Sequence, residues 1–321
     1  MIRSIGILGI SDYGVGCLLE LLRLGYDVKF VTEKKRRSLH STEARSKLQT
    51  VILNSKIKNL GNVLPGDSLL LEESSKVDLC IIGGYDGIVH SPLLESPKYG
   101  VINTHFGLIP DNRGCNPVMW AILKNEPQGF TTYQVTKDID LGPVINKVYL
   151  KSQDQNQTSQ SVYQNLSTDA PRHLKKSINL VEKKKYCEIP RNRGVYHSAG
   201  MPNDCYVSWK WKNEFIQRFS NAMIFPPYKP ASSRVLGQDI FLTVIETIDE
   251  KNPYKPGEVI FKEHRKVVVS TKQGHAVCEL DNDYSQVKKG LTLDSVSKGV
   301  FAIPVEFWED FLPKESYGKK R

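Results

Sequence analysis

The sequence predicts an α/β fold, a mostly parallel sheet flanked by helices, followed by a small β-barrel-like domain. Three observations carry that expectation. The chain opens with a β-α-β pattern: SIGILGI, then LLELLRLG, then YDVKFVT. An apolar run closed by two glycines, VDLCIIGG at 77–84, reads as a central parallel strand. Past about residue 230, short strand-like pieces separated by turns take over. The loop-like stretch 188–203 holds the boundary, giving domains over 1–195 and 196–321, the second including its linker.

Each element follows in order. SIGILGI is a buried first strand, SDYGVGC is expected to turn the chain, and LLELLRLG has helical spacing ending at Gly25. The glycines at 9, 14 and 16 do not have the G-x-G-x-x-G spacing of a dinucleotide site. They are expected to serve the turn, where glycine supplies positive φ. YDVKFVT alternates as a strand should. EKKRRSLHSTEARSKL follows, with four consecutive basic residues, Lys34 to Arg37, in a loop that reads as a solvated face. YGVINTHF is a short strand, PVMWAILKNEP a helix, GFTTYQVT a strand, and DIDLGPVINKVYL a turn and a further strand. The polar stretch from 151 is expected to begin as a loop and become a helix on which Leu174, Ile178, Leu180 and Val181 share a face, with Lys175, Lys176 and Lys183 to Lys185 pointing out. WKNEFIQRFSNAM is a short helix, and QDIFLTVIETI, GEVIFKEH, KVVVST and HAVCELD are the strands of the final domain.

The chain has 321 residues, enough for a sizeable core, with 40% hydrophobic and 25% charged residues. No apolar run reaches the roughly 18–20 residues of a membrane helix. MIRSIGILGI lacks the features of a signal peptide, so a cytoplasmic location without membrane partners is expected. Six scattered cysteines with no C-x-x-C pair then read as free thiols, and no metal site is expected. A formal net charge of +9 favours anionic partners without naming one.

Chemistry concentrates in YGVINTHFGLIPDNRGCNP. Asn103 and His105 are two apart on a strand, so their side chains share one face at its end. In an open α/β sheet, sites lie beyond the carboxyl ends of strands. Asp140, about 35 residues on in DIDLGP, sits where a neighbouring strand end could bring a carboxylate to His105. Together they supply an oxyanion donor, an imidazole that titrates near neutrality and a carboxylate to orient it or take a proton. Taken one at a time, the same residues also read as ordinary turn residues.

NTHFGLIPDNRGCNP with the later DIDLGP resembles the motif of the formyltransferase family that uses 10-formyltetrahydrofolate: N-x-H, a spaced P-x-x-R-G, then D-x-G. The opening β-α-β, GGYDGIVHSPLLESPKYGVIN, PNDCYVSW, PPYKP and PGEVI resemble further family segments, so the likeness covers nearly the whole chain, most strongly in the middle. The resemblance implies a Rossmann-like formyltransferase domain and an OB-like C-terminal domain. It implies that an acceptor amine attacks the formyl carbon of 10-formyltetrahydrofolate, a co-substrate. Asn103 would donate to the developing oxyanion. His105 would polarise the formyl oxygen or pass a proton to the leaving nitrogen. Asp140 would hold His105 and help deprotonate the amine. Tyr85, Asp86, Gly87 and Ile88, with Asp138, would contact the folate. Gly107 and Arg113 would face the acceptor, Arg113 also fixing its loop.

WAILKNEPQGFT resembles the wording of the sugar-nucleotide members, and Gly107 stands where the transfer-RNA enzymes carry serine. The expected acceptor is therefore the amine of a 3-amino or 4-amino deoxysugar linked to dTDP or UDP, with a homodimer possible. The basic loop from Lys34 favours the alternative, methionyl-tRNA formyltransferase. A folate-binding module without turnover is the second alternative. Four departures stand out: Tyr133 where many members have histidine, Lys137, and Cys205 and Ser208 in the D-G-x-I-D-W segment. None is expected to touch the trio. Trp209 and Trp211 read as packing, with base stacking as the other use.

Overall fold

A computed structural model of the chain describes residues 1–33, 42–53 (side chains from 48 onward), 55–85, 87–151, 156–189 and 194–296. The basic loop at Lys34 to Arg37 and the expected folate contact Asp86 lie outside the described residues. The chain divides into two compact units: Met1–Gly114 with Gln128–Leu150 and Tyr163–Gly194, and Cys115–Pro127 with Lys151–Val162 and Val195–Arg321.

The first unit is built on a sheet of seven described strands. In chain order these are β1 (Ser4–Leu8), β2 (Asp27–Val31), β3 (Lys58–Asn59), β4 (Leu79–Ile82), β5 (Val101–His105), β6 (Gly129–Gln134) and β7 (Val144–Tyr149). Their spatial order is β3-β2-β1-β4-β5-β6-β7. The first five run parallel, and β6 and β7 are antiparallel additions. This is the mostly parallel α/β sheet the sequence predicts. β1 is central, and Ile5, Ile7 and Leu8 are fully buried, as expected of a strand with both faces covered. Helices α1 (Asp12–Arg23), α2 (Thr42–Leu53) and α3 (Ser68–Ser75) follow β1, β2 and β3.

The segment SDYGVGC does not turn. Ser11 caps α1, accepting from the Gly14 N–H and donating its own hydroxyl to the Gly83 carbonyl at 2.6 Å. Gly14 and Gly16 are therefore helical, and only Gly9, with φ 73°, has the left-handed backbone expected of a turn. Gly14 is needed for a different reason. A Cβ there would lie 2.4 Å from the Gly83 carbonyl oxygen, so the missing side chain lets α1 close onto the end of β4.

The polar stretch also becomes helical earlier than expected, as α5 (Ser159–Asp169), with α6 (Leu174–Glu182) after it. Val162 and Leu166 are buried four residues apart, so α5 has an apolar seam in an otherwise polar sequence. On α6, Leu174, Ile178 and Val181 are buried while Lys175, Lys176 and Lys183 are exposed.

The second unit holds α4 (Pro117–Lys124), α7 (Asn213–Met223) and a five-stranded antiparallel sheet. Its strands β8 (Ser232–Val235), β9 (Gln238–Asp249), β10 (Val259–Glu263), β11 (Lys266–Ser270) and β12 (Gly274–Leu280) lie in the order β8-β9-β12-β11-β10. The segment 291–294 stitches both edges. Asp294 bridges to Arg234 of β8, and Thr292 to Glu258 beside β10. That closure gives the barrel-like form the sequence predicts. Trp209 and Trp211 are fully buried; Trp209 donates to Ser233 Oγ at 3.2 Å and Trp211 packs on Phe215 and Phe219. They are packing residues, which excludes a base-stacking platform.

Candidate active site

The site grows from the pairing of β5 with β6. In antiparallel register Asn103 lies opposite Tyr133, and His105 opposite Thr131. Directly opposed residues place their side chains on the same face. Thr104 and Phe106 point to the other face, where Phe106 packs edge-on against Tyr13 and Tyr163. The aromatic anchor holds the strand end, so the opposite face can carry polar groups.

The third member arrives from the β6–β7 connection, residues 135–143. The Gln134 N–H donates to the Pro143 carbonyl at 2.9 Å and closes this loop tightly. A Cβ on Gly142 would stand 1.7 Å from the Gln134 carbonyl oxygen, so the return path exists only for glycine. Asp140 has φ 52°, a backbone that aspartate adopts at a cost. The strained turn brings its side chain, with the residue 7% exposed, back over the end of β5.

There the carboxylate is fully engaged. Oδ1 accepts from the Tyr133 hydroxyl at 2.7 Å, and Oδ2 accepts from the Gly114 N–H at 2.8 Å. His105 Nδ1 stands 3.7 Å from Oδ2. The other ring nitrogen, Nε2, is 2.8 Å from the Asn112 carbonyl. A carbonyl only accepts, so Nε2 carries a hydrogen, and Nδ1 is the ring nitrogen that faces Asp140. A proton arriving at Nδ1 makes an ion pair with the carboxylate. An imidazole nitrogen facing a carboxylate in this way is the arrangement of a proton-transfer pair.

Tyr133 corrects the sequence reading, in which no departure touches the trio. Its oxygen accepts from Asn103 Nδ2 at 3.0 Å while its hydrogen goes to Asp140. Burial, and then the neighbouring Asp140 carboxylate, push its phenol well above the ordinary value. The departure at Tyr133 was visible in the sequence, but its partner follows from the antiparallel register, which sets Tyr133 across from Asn103. The Asn112 carbonyl and the Gly114 N–H were out of reach for a sequence reading, because backbone groups carry no residue signature.

The structure therefore brings Asn103, His105 and Asp140 together. The remaining expected residues fall around them. Gly107 is buried, and its carbonyl accepts from Thr131 Oγ1 at 2.8 Å, tying the loop after β5 to β6. Arg113 is half-buried immediately before Gly114. Asp138 lies two residues before Asp140, its carbonyl accepting from Thr136 Oγ1 at 3.3 Å. Tyr85, Gly87 and Ile88 follow β4, the strand paired with β5 through Ile82 and Asn103. The Tyr85 hydroxyl donates to the Val63 carbonyl at 2.7 Å, and burial, then Asp67, pushes its phenol up to about 12. Ile88 is 68% exposed. Tyr85 is thus anchored by its hydroxyl, and Ile88 presents a bare aliphatic side chain. Among the described residues, no group of three or more His, Cys, Asp or Glu side chains is placed to hold a metal ion.

With this geometry in hand, comparisons with known proteins are informative. Residues 27–178, just under half of the chain, match the family described as Formyl transferase. Over 278 residues the chain is 27% identical to a methionyl-tRNA formyltransferase of Clostridium tetani (strain Massachusetts / E88), covering 84% of this chain and 89% of that protein. Its fold is similar to that of the N-formyltransferase from Helicobacter canadensis solved with folinic acid and dTDP-3-aminofucose. That comparison has a TM-score of 0.62 at 19% identity and covers 88% of this chain and 100% of that one. It is also similar to HypX from Aquifex aeolicus, with a TM-score of 0.58 at 20% identity, over 86% of this chain and 43% of that one. This chain therefore spans less than half of HypX. At these identities the solved structures establish the fold alone.

Proposed function

We propose that the protein, whose residues 27–178 match the formyl transferase family, transfers the formyl group of 10-formyltetrahydrofolate to the primary amine of an amino-sugar nucleotide. The observation that carries the transfer chemistry is the meeting of Asn103, His105 and Asp140 at the end of β5, with His105 Nδ1 3.7 Å from the Asp140 carboxylate. The co-substrate supplies the activated formyl carbon. Asn103 donates an amide N–H to the oxyanion that forms when the amine adds. His105 and Asp140 receive the proton that the amine must lose, and His105 returns it towards the departing nitrogen. Tyr85, Gly87 and Ile88 wall the folate, with Asp138 as a further contact, and Arg113 and Gly107 face the acceptor.

The sugar acceptor, a 3-amino or 4-amino deoxysugar on dTDP or UDP, is supported by the wording WAILKNEPQGFT, by Gly107 and by a net charge of +9 that suits a diphosphate. The sequence relative named above, a methionyl-tRNA formyltransferase, favours the second reading, methionyl-tRNA as acceptor. The protein works in the cytoplasm, where its cysteines remain free thiols. The division into 1–195 and 196–321 and a homodimeric state belong to the same proposal.

The test is a formyl-transfer assay from 10-formyltetrahydrofolate to a panel of amino-sugar nucleotides and, in parallel, to methionyl initiator transfer RNA, with His105→Ala as control. Turnover on a sugar that vanishes in the variant is the expected result. Turnover on the RNA alone replaces the sugar reading. Folate binding without transfer to any acceptor leaves a binding module.

A further inference from the structure

Tyr133 is 4% exposed and lies between two members of the trio. Its hydroxyl has one hydrogen, and that hydrogen goes to Asp140 Oδ1 at 2.7 Å. The bond runs from the phenol to the carboxylate. The phenol oxygen is then left as an acceptor, and Asn103 meets it with Nδ2 at 3.0 Å. An Asn103 amide turned the other way would set two oxygens against each other. One hydroxyl thus fixes the direction of every hydrogen bond in the row from Asn103 to Asp140.

We propose that Tyr133 is a positioning residue for formyl transfer: it holds the Asn103 amide with its nitrogen towards the site and holds the Asp140 carboxylate with Oδ2 towards His105. This rests on the function proposed above for the trio. The second hydrogen on Asn103 Nδ2 is what the developing oxyanion needs, and an amide free to flip would present its oxygen instead. On the other side, Tyr133 and the Gly114 N–H each take one carboxylate oxygen and so set the plane of Asp140. The high phenol pKa, from burial and then from Asp140, keeps the hydrogen in place throughout the pH range of an amine-transfer assay.

Tyr133→Phe removes the hydroxyl and keeps the ring. The expected loss in kcat is roughly 10- to 100-fold, the range for one hydrogen bond to a charged group, with KM for both substrates and the unfolding midpoint little changed. Tyr133→His should recover most of the loss, because a neutral imidazole offers one N–H donor and one acceptor nitrogen, the same pair the phenol supplies. A readout independent of turnover is the exchange rate of the Asn103 side-chain amide protons by 15N NMR: slowed in the parent protein, fast in the Phe variant, slowed again in the His variant.

The proposal is overturned if Tyr133→Phe keeps kcat within twofold, if its loss follows a lowered unfolding midpoint and histidine restores nothing, or if Asn103 exchange is the same in all three proteins. His105→Ala run alongside separates the two ideas. An active His105→Ala removes the trio itself, whereas an inactive one beside a fully active Tyr133→Phe removes only the role of Tyr133.

Discussion

The two halves of the large sheet use buried positions in opposite ways. In β1 the buried side chains Ile5, Ile7 and Leu8 are all apolar, and the strand is flanked on both sides by parallel neighbours. In β5 the run begins the same way with Val101 and Ile102, then ends in Asn103 and His105, and the antiparallel β6 answers with Thr131 and Tyr133. Polar groups in a low-dielectric setting are costly unless they satisfy one another. The antiparallel neighbour makes that possible, because it returns to the same strand end and lays hydroxyls directly opposite the amide and the imidazole. The difference teaches that β1 and its parallel neighbours are built of apolar packing, while the ends of β5 and β6 hold the polar cluster proposed to carry the chemistry.

If so, the two halves should respond to substitution in separable ways. The largest effect belongs to His105→Ala, which should lower the transfer rate by roughly 10²–10⁴-fold, the usual weight of general acid–base catalysis, while unfolding is little altered. A variant with near-parent turnover would end the division at its chemical side. Next, Ile7→Ala in β1 should cost about 2–5 kcal/mol of stability in denaturant titrations. Its kcat per folded molecule should match the parent, and a kcat loss would mean that packing in the parallel half reaches the site. Gly142→Ala sharpens the contrast because it should do both. The Cβ has no room beside the Gln134 carbonyl, so stability should fall by about 1–3 kcal/mol and Asp140 should be displaced, lowering kcat as well. Normal activity in that variant would show that the loop can relax without moving the carboxylate.

The smallest effect is electrostatic. Hydrogen bonds from Lys58, then from Lys76, hold the Glu73 carboxyl below its ordinary range despite burial. A carboxyl whose pKa is lower when folded contributes stability above its unfolded pKa of about 4.3 and loses that contribution as pH falls through the folded value. Lys58 and Lys76 are 59% and 50% exposed, so screening keeps the contribution below ~1 kcal/mol. Glu73→Gln should flatten the acid limb of unfolding stability by that small amount and leave transfer unchanged. An unaltered acid limb would assign the pair no energetic weight.

Much of this arrangement was legible before the structure. Apolar runs such as IGIL and LCII have few alternatives to a buried strand, and the spacing of Asn103, His105 and Asp140 matched a family motif. What escaped did so for identifiable reasons. Gly14 and Gly16 look like a turn because sequence reports a missing side chain but not whether it is needed for φ or for contact. The segment SQSVYQNLSTD looks like a loop because its seam is only Val162 and Leu166, two residues in a polar background. Tyr133 was visible as an oddity, yet its partners depend on strand register, and a slip of one residue would turn it to the other face. The Gly114 N–H and the Asn112 carbonyl belong to the backbone, which looks the same at every position.

The short segment 291–294 has a consequence for how the chain tolerates cutting. It is bonded to β8 and beside β10 at once, so it covers both borders of the five-stranded sheet. An uncovered strand border is a template on which another chain can add itself. A protease cut or stop codon just before Leu291 would expose two such borders together, and the products should gather into aggregates well before the sheet itself melts.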